Sequence, residues 1–336
     1  MSTRSTIVDV AAAAEVSIST VSLVMNGKGP VADATRSRIQ RVARELGYTP
    51  SRSARRLAAR RTGNIGFVLQ EDHFRQSEPF YTRVFLGAEF EARRRGLYVL
   101  LATVPEDYDP EADAPRFLAE HSVDGVVVAG GVSSTLLTQM RERSIPLVLA
   151  DYAWEDASVV SIDNGGGARL AAAHLVERGH TDVGFLGADA GHPSPPARRD
   201  AFVAAMAAAG HPVRDANVAM ADGSTDRPTG AAAGGRLLDA SPRPTAVFCA
   251  NDALALGLLD AARERGLAVP DDLAVVGFDD VEGAALATPA LTTIRVAKEG
   301  LGEVALGLLA ESVRDGAGEI PALTHTPTEL VVRASS

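Results

Sequence analysis

A single cysteine in 336 residues, Cys249, excludes an intramolecular disulfide framework and any zinc site built from cysteines. It sits in the apolar run AVFCAND, where a thiol reads as a buried structural group and not as a nucleophile. The seven histidines show neither HxxxH nor HExxH spacing, so no metal is expected, and no cofactor motif replaces one. Long apolar runs are missing too. The longest, such as Val123 to Val128 with Asp124 inside it, are strand-sized and far short of a membrane span. The opening stretch MSTRSTIVDV lacks an apolar signal core, which makes the cytoplasm the expected compartment and a membrane partner unexpected.

What is present is a strongly divided charge. Residues 1–62 hold eleven Lys and Arg against four acids, a formal net of +7, and the remaining 274 residues carry 22 basic against 39 acidic groups, a net of −17. A basic head on an acidic body suits a polyanion partner bound by the head alone, because phosphate neutralisation supplies most sequence-independent DNA affinity. The length exceeds one ordinary core, so two or three folding units are expected, and 46% hydrophobic residues can fill them.

The head divides into short helices. Thr6 is placed to cap a helix over Ile7 to Ala14, with Asp9 reaching back as in a capping box and Val10, Ala11 and Ala14 facing inward. Glu15 and Val16 leave room only for a tight turn before Ser17 caps a second helix, Ile18 to Asn26, which ends at Gly27 and Gly29. This is helix-turn-helix spacing. A third helix from about Asp33 to Leu46 brings Ile39, Val42 and Leu46 to one side and stops at Gly47. After Thr49-Pro50 the backbone resets, and Ser51 opens a short basic helix to about Ala59.

The run Val16-Ser17-Ile18-Ser19-Thr20-Val21-Ser22-Leu23-Val24-Met25-Asn26-Gly27 resembles the signature of the LacI/GalR family of transcriptional regulators, and the likeness continues through Thr35-Arg36, Leu46-Gly47-Tyr48, Pro50, Ala54-Arg55, Leu57 and Thr62 to Gly66, and on to Arg333. The resemblance implies that the second helix enters the major groove of a pseudo-palindromic double-stranded operator. Ile18, Ser19 and Leu23 would reach base edges, while Ser17, Thr20, Ser22 and Asn26 hold phosphates, which position without reading sequence. Thr6, Thr35, Arg52, Arg55 and Ala58 complete the DNA-binding set. Leu23 departs from the Arg of several members, so readout there is limited to apolar contact. Ala32 stands where a Ser cap is frequent, leaving Asp33 to favour the helix start by charge. Ser51 to Ala59 resembles the family hinge helix, whose leucine, here Leu57, wedges into a central base step of the minor groove.

From Ile65 onward, short apolar runs (IGFVLQ, YVLLATV, GVVVAGG, LVLADY, VGFLGAD, TAVFCAND, LAVVGFDD) alternate with amphipathic segments such as Val84 to Arg95, Gly167 to Arg178 and Ala253 to Arg265. That pattern predicts an α/β fold with doubly wound parallel sheets and active loops at strand C-terminal ends. Recurring turns at Arg95-Gly96, Arg178-Gly179, Gly210-His211 and Arg265-Gly266 suggest two similar lobes. The resemblance makes these a periplasmic-binding-protein type I pair. Residues 1–50 would be the helix-turn-helix domain, 51–62 the hinge and 63–336 the effector and dimerisation domain. Lobe 1 is expected at about 63–161 and 292–320, and lobe 2 at about 162–291 and 321–336, with crossings near 161, 291 and 321.

Cleft residues follow from strand ends and from the resemblance. Phe80 and Tyr81 match a first-lobe loop in which an aromatic stacks on a sugar or base. Arg198 in PPARRDAF matches the ligand-binding arginine, while Asn251 in CAND, Asp279 in GFDD and Asp151 in LADY end strands. A carboxylate that accepts hydroxyls and a guanidinium fork that donates suit a polyol ring. For each of these residues a structural cap is the alternative reading. An aromatic near the place of Thr225, present in many members, is missing.

An enzyme is not expected. Gly165 to Gly167 lack G-x-G-x-x-G spacing, there is no P-loop, and adjacent Asp279 and Asp280 lie on opposite sides of the chain instead of forming an acid and base pair. The reading is therefore a cytoplasmic, homodimeric transcriptional regulator, a repressor by resemblance, controlled by a small-molecule effector with a sugar first and a nucleobase second. An exported sugar-binding protein shares the two lobes but lacks a DNA-binding head.

Overall fold

A computed structural model of the chain describes residues 5–25, 29–48, 61–71, 80–155, 157–189, 191–315 and 322–336. The chain separates into two compact units, Met1–Gly63 and Asn64–Ser336. The expected contacts Asn26, Arg52, Arg55, Leu57 and Ala58, and with them the whole hinge helix, lie outside the described residues.

In the first unit, α1 (Ile7–Ala13), α2 (Ile18–Met25) and α3 (Asp33–Glu45) surround a small core. The capping box forms as the sequence requires: the Thr6 hydroxyl accepts the Asp9 N–H, and the Asp9 carboxylate accepts the Thr6 N–H at 2.7 Å. The chain then turns through 107° into α2, with Glu15 at φ 52°, a left-handed conformation that side chains other than glycine adopt at a cost. Val10, Val21 and Ile39 are fully buried where the three helices meet. Leu46 is a correction. It is the C-cap residue of α3, past the last helical turn, and is 37% exposed instead of completing the inward stripe with Ile39 and Val42.

The second unit contains two six-stranded sheets. The first lobe comprises β1 (Asn64–Gln70), α4 (Phe80–Arg94), β2 (Tyr98–Val104), α5 (Arg116–Ala119), β3 (Gly125–Ala129), α6 (Ser134–Glu142), β4 (Leu147–Ala150) and β5 (Ser158–Ile162). The second comprises α7 (Asn164–Glu177), β6 (Val183–Asp189), α8 (Ser194–Ala208), β7 (Val218–Asp222), α9 (Arg227–Leu238), β8 (Ala246–Cys249), α10 (Asp252–Glu264), β9 (Ala274–Asp279), α11 (Glu282–Leu286) and β10 (Thr292–Val296). The chain returns to the first lobe with α12 (Lys298–Asp315) and β11 (Leu323–Thr326), then crosses once more for β12 (Thr328–Val331).

Strand order is β11-β5-β4-β3-β1-β2 in one sheet and β12-β10-β9-β8-β6-β7 in the other, parallel except for the β10–β12 pair. Helices on both faces explain why central strands such as GVVVA are buried at every position instead of alternating. The recurring glycine turns are helix ends: Gly96, Gly179, Gly210 and Gly266 take φ between 69° and 87° just past their helices.

Two crossings fall later than expected. Thr292–Val296 pairs with β9 in the second lobe, so the chain completes that strand and crosses at Ala297, not near 291. Leu323–Thr326 pairs with β5 in the first lobe and moves the last crossing from 321 to Pro327. Both shifts have one cause, since a strand leaves its sheet only after its backbone ladder is paired. Within the first lobe, α4 lies so close to α12 that a Cβ at Gly87 would overlap the Glu299 carbonyl and one at Gly302 the Val84 carbonyl.

Candidate functional site

In the first unit, the outer face of α2 carries no charged residue. Val21 and Val24 point inward, which leaves Ile18 and Leu23 on the surface at 49% and 41% exposure with Ser19 beside them. At the start of the helix the Ser17 hydroxyl accepts the Thr20 N–H at 3.1 Å and lies 2.7 and 2.8 Å from the hydroxyls of Ser19 and Thr20. Hydroxyls gathered where a helix exposes its first N–H groups suit a phosphate, and two apolar side chains further along suit thymine methyls. Ser22 is half-buried on the same helix. Thr35 lies in the first turn of α3, which has no side-chain cap at Ala32 and supplies the exposed Arg38, Arg41 and Arg44. Thr6 is exposed, with its hydroxyl committed to Asp9.

In the second unit a cavity of about 970 Å3 opens between the two sheets, and Phe80, Tyr81, Asp151, Arg198, Asn251 and Asp279 all line it. Arg198, on α8, is 5% exposed; it donates to the Asn164 side chain at 2.7 Å and to the Ala250 carbonyl at 2.5 Å, with Asp279 3.6 Å away. Its guanidinium also lies 3.6 Å over the ring of Phe278, so its fork is fixed before any ligand arrives. Asp279 ends β9 at φ 109°, and Asp280 follows at φ 52°. Two consecutive non-glycine residues in the left-handed half of the map persist only where their surroundings hold them. The two carboxylates do part company. Burial works to raise Asp280, but hydrogen bonds from Arg295 and Arg333 overcome it and hold that carboxyl below its usual range.

Asp151, the residue after β4, takes φ 59° and accepts the Tyr81 hydroxyl at 3.2 Å and, across the lobes, the Ser194 hydroxyl at 3.3 Å. Burial, then the Asp151 charge, push the Tyr81 phenol well above its ordinary value, so it stays a neutral donor. Phe80 stands edge-on to Tyr81 with centroids 5.0 Å apart. These two residues form the first turn of α4 and do not lie in a loop. Asn251 behaves as a cap. Its carbonyl oxygen accepts the Leu254 N–H and its amide donates to the Thr225 carbonyl, so both functions of the side chain serve the fold at the cavity wall.

Four residues escaped the sequence reading. His192 lines the cavity with Nδ1 accepting the Ser194 N–H, which leaves Nε2 3.7 Å from Asp151. Asn164 orients Arg198. Fully buried Asp252 accepts the Val281 N–H and the Thr293 hydroxyl behind the Asp279 loop, its carboxyl raised well above the usual range by burial and then by Asp279. Lys298 donates to the backbone of that loop. His192 and Asp252 stand near residues already singled out, in GHPSPPAR and CAND, whereas nothing local marks Asn164 or Lys298, whose partners are distant in sequence. Among the described residues no group of His, Cys, Asp or Glu is arranged to hold a metal ion, and no single helix is long and apolar enough to cross a membrane.

Residues 6–51 match the family model for bacterial regulatory proteins of the lacI family, and residues 172–336 match that of a periplasmic binding protein-like domain. The HTH-type transcriptional regulator DegA of Bacillus subtilis is 34% identical over 99% of this chain and 98% of its own length. The HTH-type transcriptional repressor PurR of Vibrio parahaemolyticus is also 34% identical, over 98% and 97%. Among solved structures, a complex of the transcriptional regulator CelR with cellobiose superposes with a TM-score of 0.73 at 32% identity, covering 99% of this chain and all of the other. The lac repressor dimer bound to operator and the anti-inducer ONPF gives 0.77 at 25% identity, with 98% of each chain covered. A helix-turn-helix unit joined to a two-sheet unit with a cavity, matched end to end by these regulators, makes the chain a member of the LacI family of DNA-binding transcriptional repressors.

Proposed function

We propose that this repressor binds a pseudo-palindromic operator as a homodimer and that an uncharged polyol, a sugar or sugar derivative, controls its affinity from the cavity. Ile18, Ser19 and Leu23 read base edges, and Ser17, Thr20, Ser22, Thr6 and Thr35 meet phosphates; Asn26, Arg52, Arg55, Leu57 and Ala58 are assigned by the family pattern alone. The observation that carries the effector class is the polarity of the lining. Glu106, Asp151, Asp226 and Asp279 outnumber Arg198 and Arg227, and Arg227 is engaged by Asp260 at 2.6 and 2.9 Å. An anion would meet a net negative wall, whereas hydroxyls find carboxylate acceptors, the Arg198 donors and two aromatic faces. The cellobiose held by the CelR relative is of this chemistry.

The dimer face is assigned to Leu86 and Phe90 on α4 and to Tyr98 and Leu101 on the edge strand β2, all 39% to 51% exposed. Ala88 and Ala92 on the same helix are buried in the core of the lobe and cannot serve. Operator binding places the protein with the DNA, in the cytoplasm. A thermal-shift screen of neutral mono- and disaccharides against purines tests the effector class. Stabilisation by sugars alone supports it; stabilisation by a purine alone overturns it and leaves operator recognition standing, which retention on operator DNA at moderate salt checks separately.

A further inference from the structure

Lys298 is the first residue of α12, one residue past the second crossing, and its side chain is 4% exposed although it carries an ammonium. Its backbone belongs to the first lobe, whose core takes in Leu301, Ala305 and Leu306 of the same helix. Its Nζ belongs to the other lobe: it donates to the carbonyl of Asp279 and, at 3.3 Å, to that of Asp280, the two left-handed residues of the effector loop. Burial pulls this amine below its ordinary value, and the acids facing it, Asp279, Asp252 and Asp280, oppose that pull more strongly than Arg83 assists it. The ammonium also stands 5.8 Å from the centre of the Phe80 ring.

A second chain of contacts runs from the same helix turn. The Glu299 carbonyl, next to Lys298, is where α12 touches α4 at Gly87 with no room for a Cβ, and Gly302 meets Val84 in the same way. Arg83 pairs with Glu299 at 2.6 Å across that contact. Backbone against backbone leaves no soft side chain to absorb a displacement, so the first turns of α12 and α4 move together. The first turn of α4 is Phe80 and Tyr81, on the cavity wall opposite Asp279.

We propose that Lys298 is the positioning residue that ties the effector loop of the second lobe to α4 of the first, so that whatever engages Asp279 is felt at both cavity walls through one buried ammonium. The loop has other clamps, Asp252 and Thr293, but both lie within the second lobe. Lys298 alone among these three crosses to the first. This inference rests on the effector reading for its purpose but not for its test.

The test is hydrogen exchange on the full-length, ligand-free protein, comparing Lys298→Met, which keeps the stem and loses the donors, with Thr293→Val, which removes a clamp on the same loop without leaving the second lobe. Both variants should raise exchange in Asp279 to Ala284 by about ten- to a hundredfold, the size of one lost hydrogen bond to a charged group. Only Lys298→Met should also raise it in Val84 to Gly87 of α4. Lys298→Gln, which restores two donors, should return α4 part of the way. If α4 exchanges as in wild type in Lys298→Met, or rises equally in Thr293→Val, the tie between lobes is refuted. Should Lys298→Met fail to fold by circular dichroism, the Gln variant decides on the same criterion. A sugar screen that finds no ligand would sink the effector class and leave this result unaffected.

Discussion

On the second-lobe wall of the cavity, Arg198 is held at once by Asn164, by the Ala250 carbonyl and by the ring of Phe278, and Asn251 spends both its polar functions on the helix start and a neighbouring carbonyl. On the first-lobe wall, Tyr81 is held by its hydroxyl through Asp151, and Phe80 meets a ring and a cation. The first arrangement is built by the fold of one lobe and exists without ligand. The second depends on where α4 stands. A rigid wall with charged groups in place lowers the ordering cost of binding, while a wall carried on a helix turn can register closure, so the proposed effector would be recognised by the second lobe and sensed by the first.

The largest effect expected from breaking this division is on the rigid wall. Arg198→Ala and Asp279→Ala each leave polar groups on the ligand unpaired, about 1 to 3 kcal/mol per contact and more for the charged partner, so the effector response should move to concentrations at least about tenfold higher or disappear. Operator affinity without effector, set by the first unit, should stay at the wild-type value. Fluorescence anisotropy with a labelled operator, with and without the sugar found by the screen, reads both quantities. A wild-type response in both variants would remove these residues from recognition.

Next in size is the support behind that wall. Asp252→Ala removes both acceptors, so the buried Val281 N–H and Thr293 hydroxyl lose their partner, and a buried polar group left unmatched costs about 1 to 3 kcal/mol. For a unit of this size that is a drop of roughly 2 to 5 °C in melting temperature. Calorimetry would show it, and an unchanged midpoint would mean that the loop does not need this clamp. Smaller again is Tyr81→Phe, which removes one neutral donor from Asp151 at a cost of about 0.5 to 1.5 kcal/mol. It should weaken the response a few-fold without abolishing it. A loss as deep as that of Arg198→Ala would show that the first-lobe wall recognises as strongly as the second, and the comparison would fail.

Local chemistry made much of this legible. Thr6 and Asp9 declare a helix start in four residues, the apolar runs declare buried parallel strands, and Gly96, Gly179, Gly210 and Gly266 mark where helices end. The family likeness then carried six residues to one cavity. What stayed hidden depends on pairing over long distances. Thr292–Val296 carries nothing in its own residues that says whether β9 or the first sheet is its neighbour, so the sequence alone puts the crossing near 291 and not at Ala297. Ala88 and Ala92 lie on an apolar stripe, but the sequence does not say that α12 covers it. Asn251 read equally as a cap or a ligand group because a strand-to-helix junction lining a cleft needs a polar residue for either purpose. Lys298 shows its meaning only once Asp279 and Asp280, far back in the chain, fold against it.

The smallest expected effect distinguishes the lobes by pH. His174 and His180, both in the second lobe, are pulled below the ordinary histidine value by burial first and by the charge of Arg178 second. His174 is the better probe, since it is buried against the Ser336 hydroxyl at 2.9 Å. With the folded value depressed, the unfolded chain binds more protons between that value and about 6.5, so stability is full above this window and falls as pH drops through it. Melting temperatures at pH 7.5 and 5.5 should therefore differ more in the wild type than in His174→Gln, which can still hydrogen-bond Ser336 but cannot take a proton. Carboxylates contribute to the gap in both proteins and cancel in the comparison. A shrinkage of a few degrees is the expected result, since one partly depressed group moves a domain of this size by no more than that. If the gap is the same in both proteins, protonation of His174 does not limit the second lobe, and its acid sensitivity has to be sought in buried acids shared by both walls.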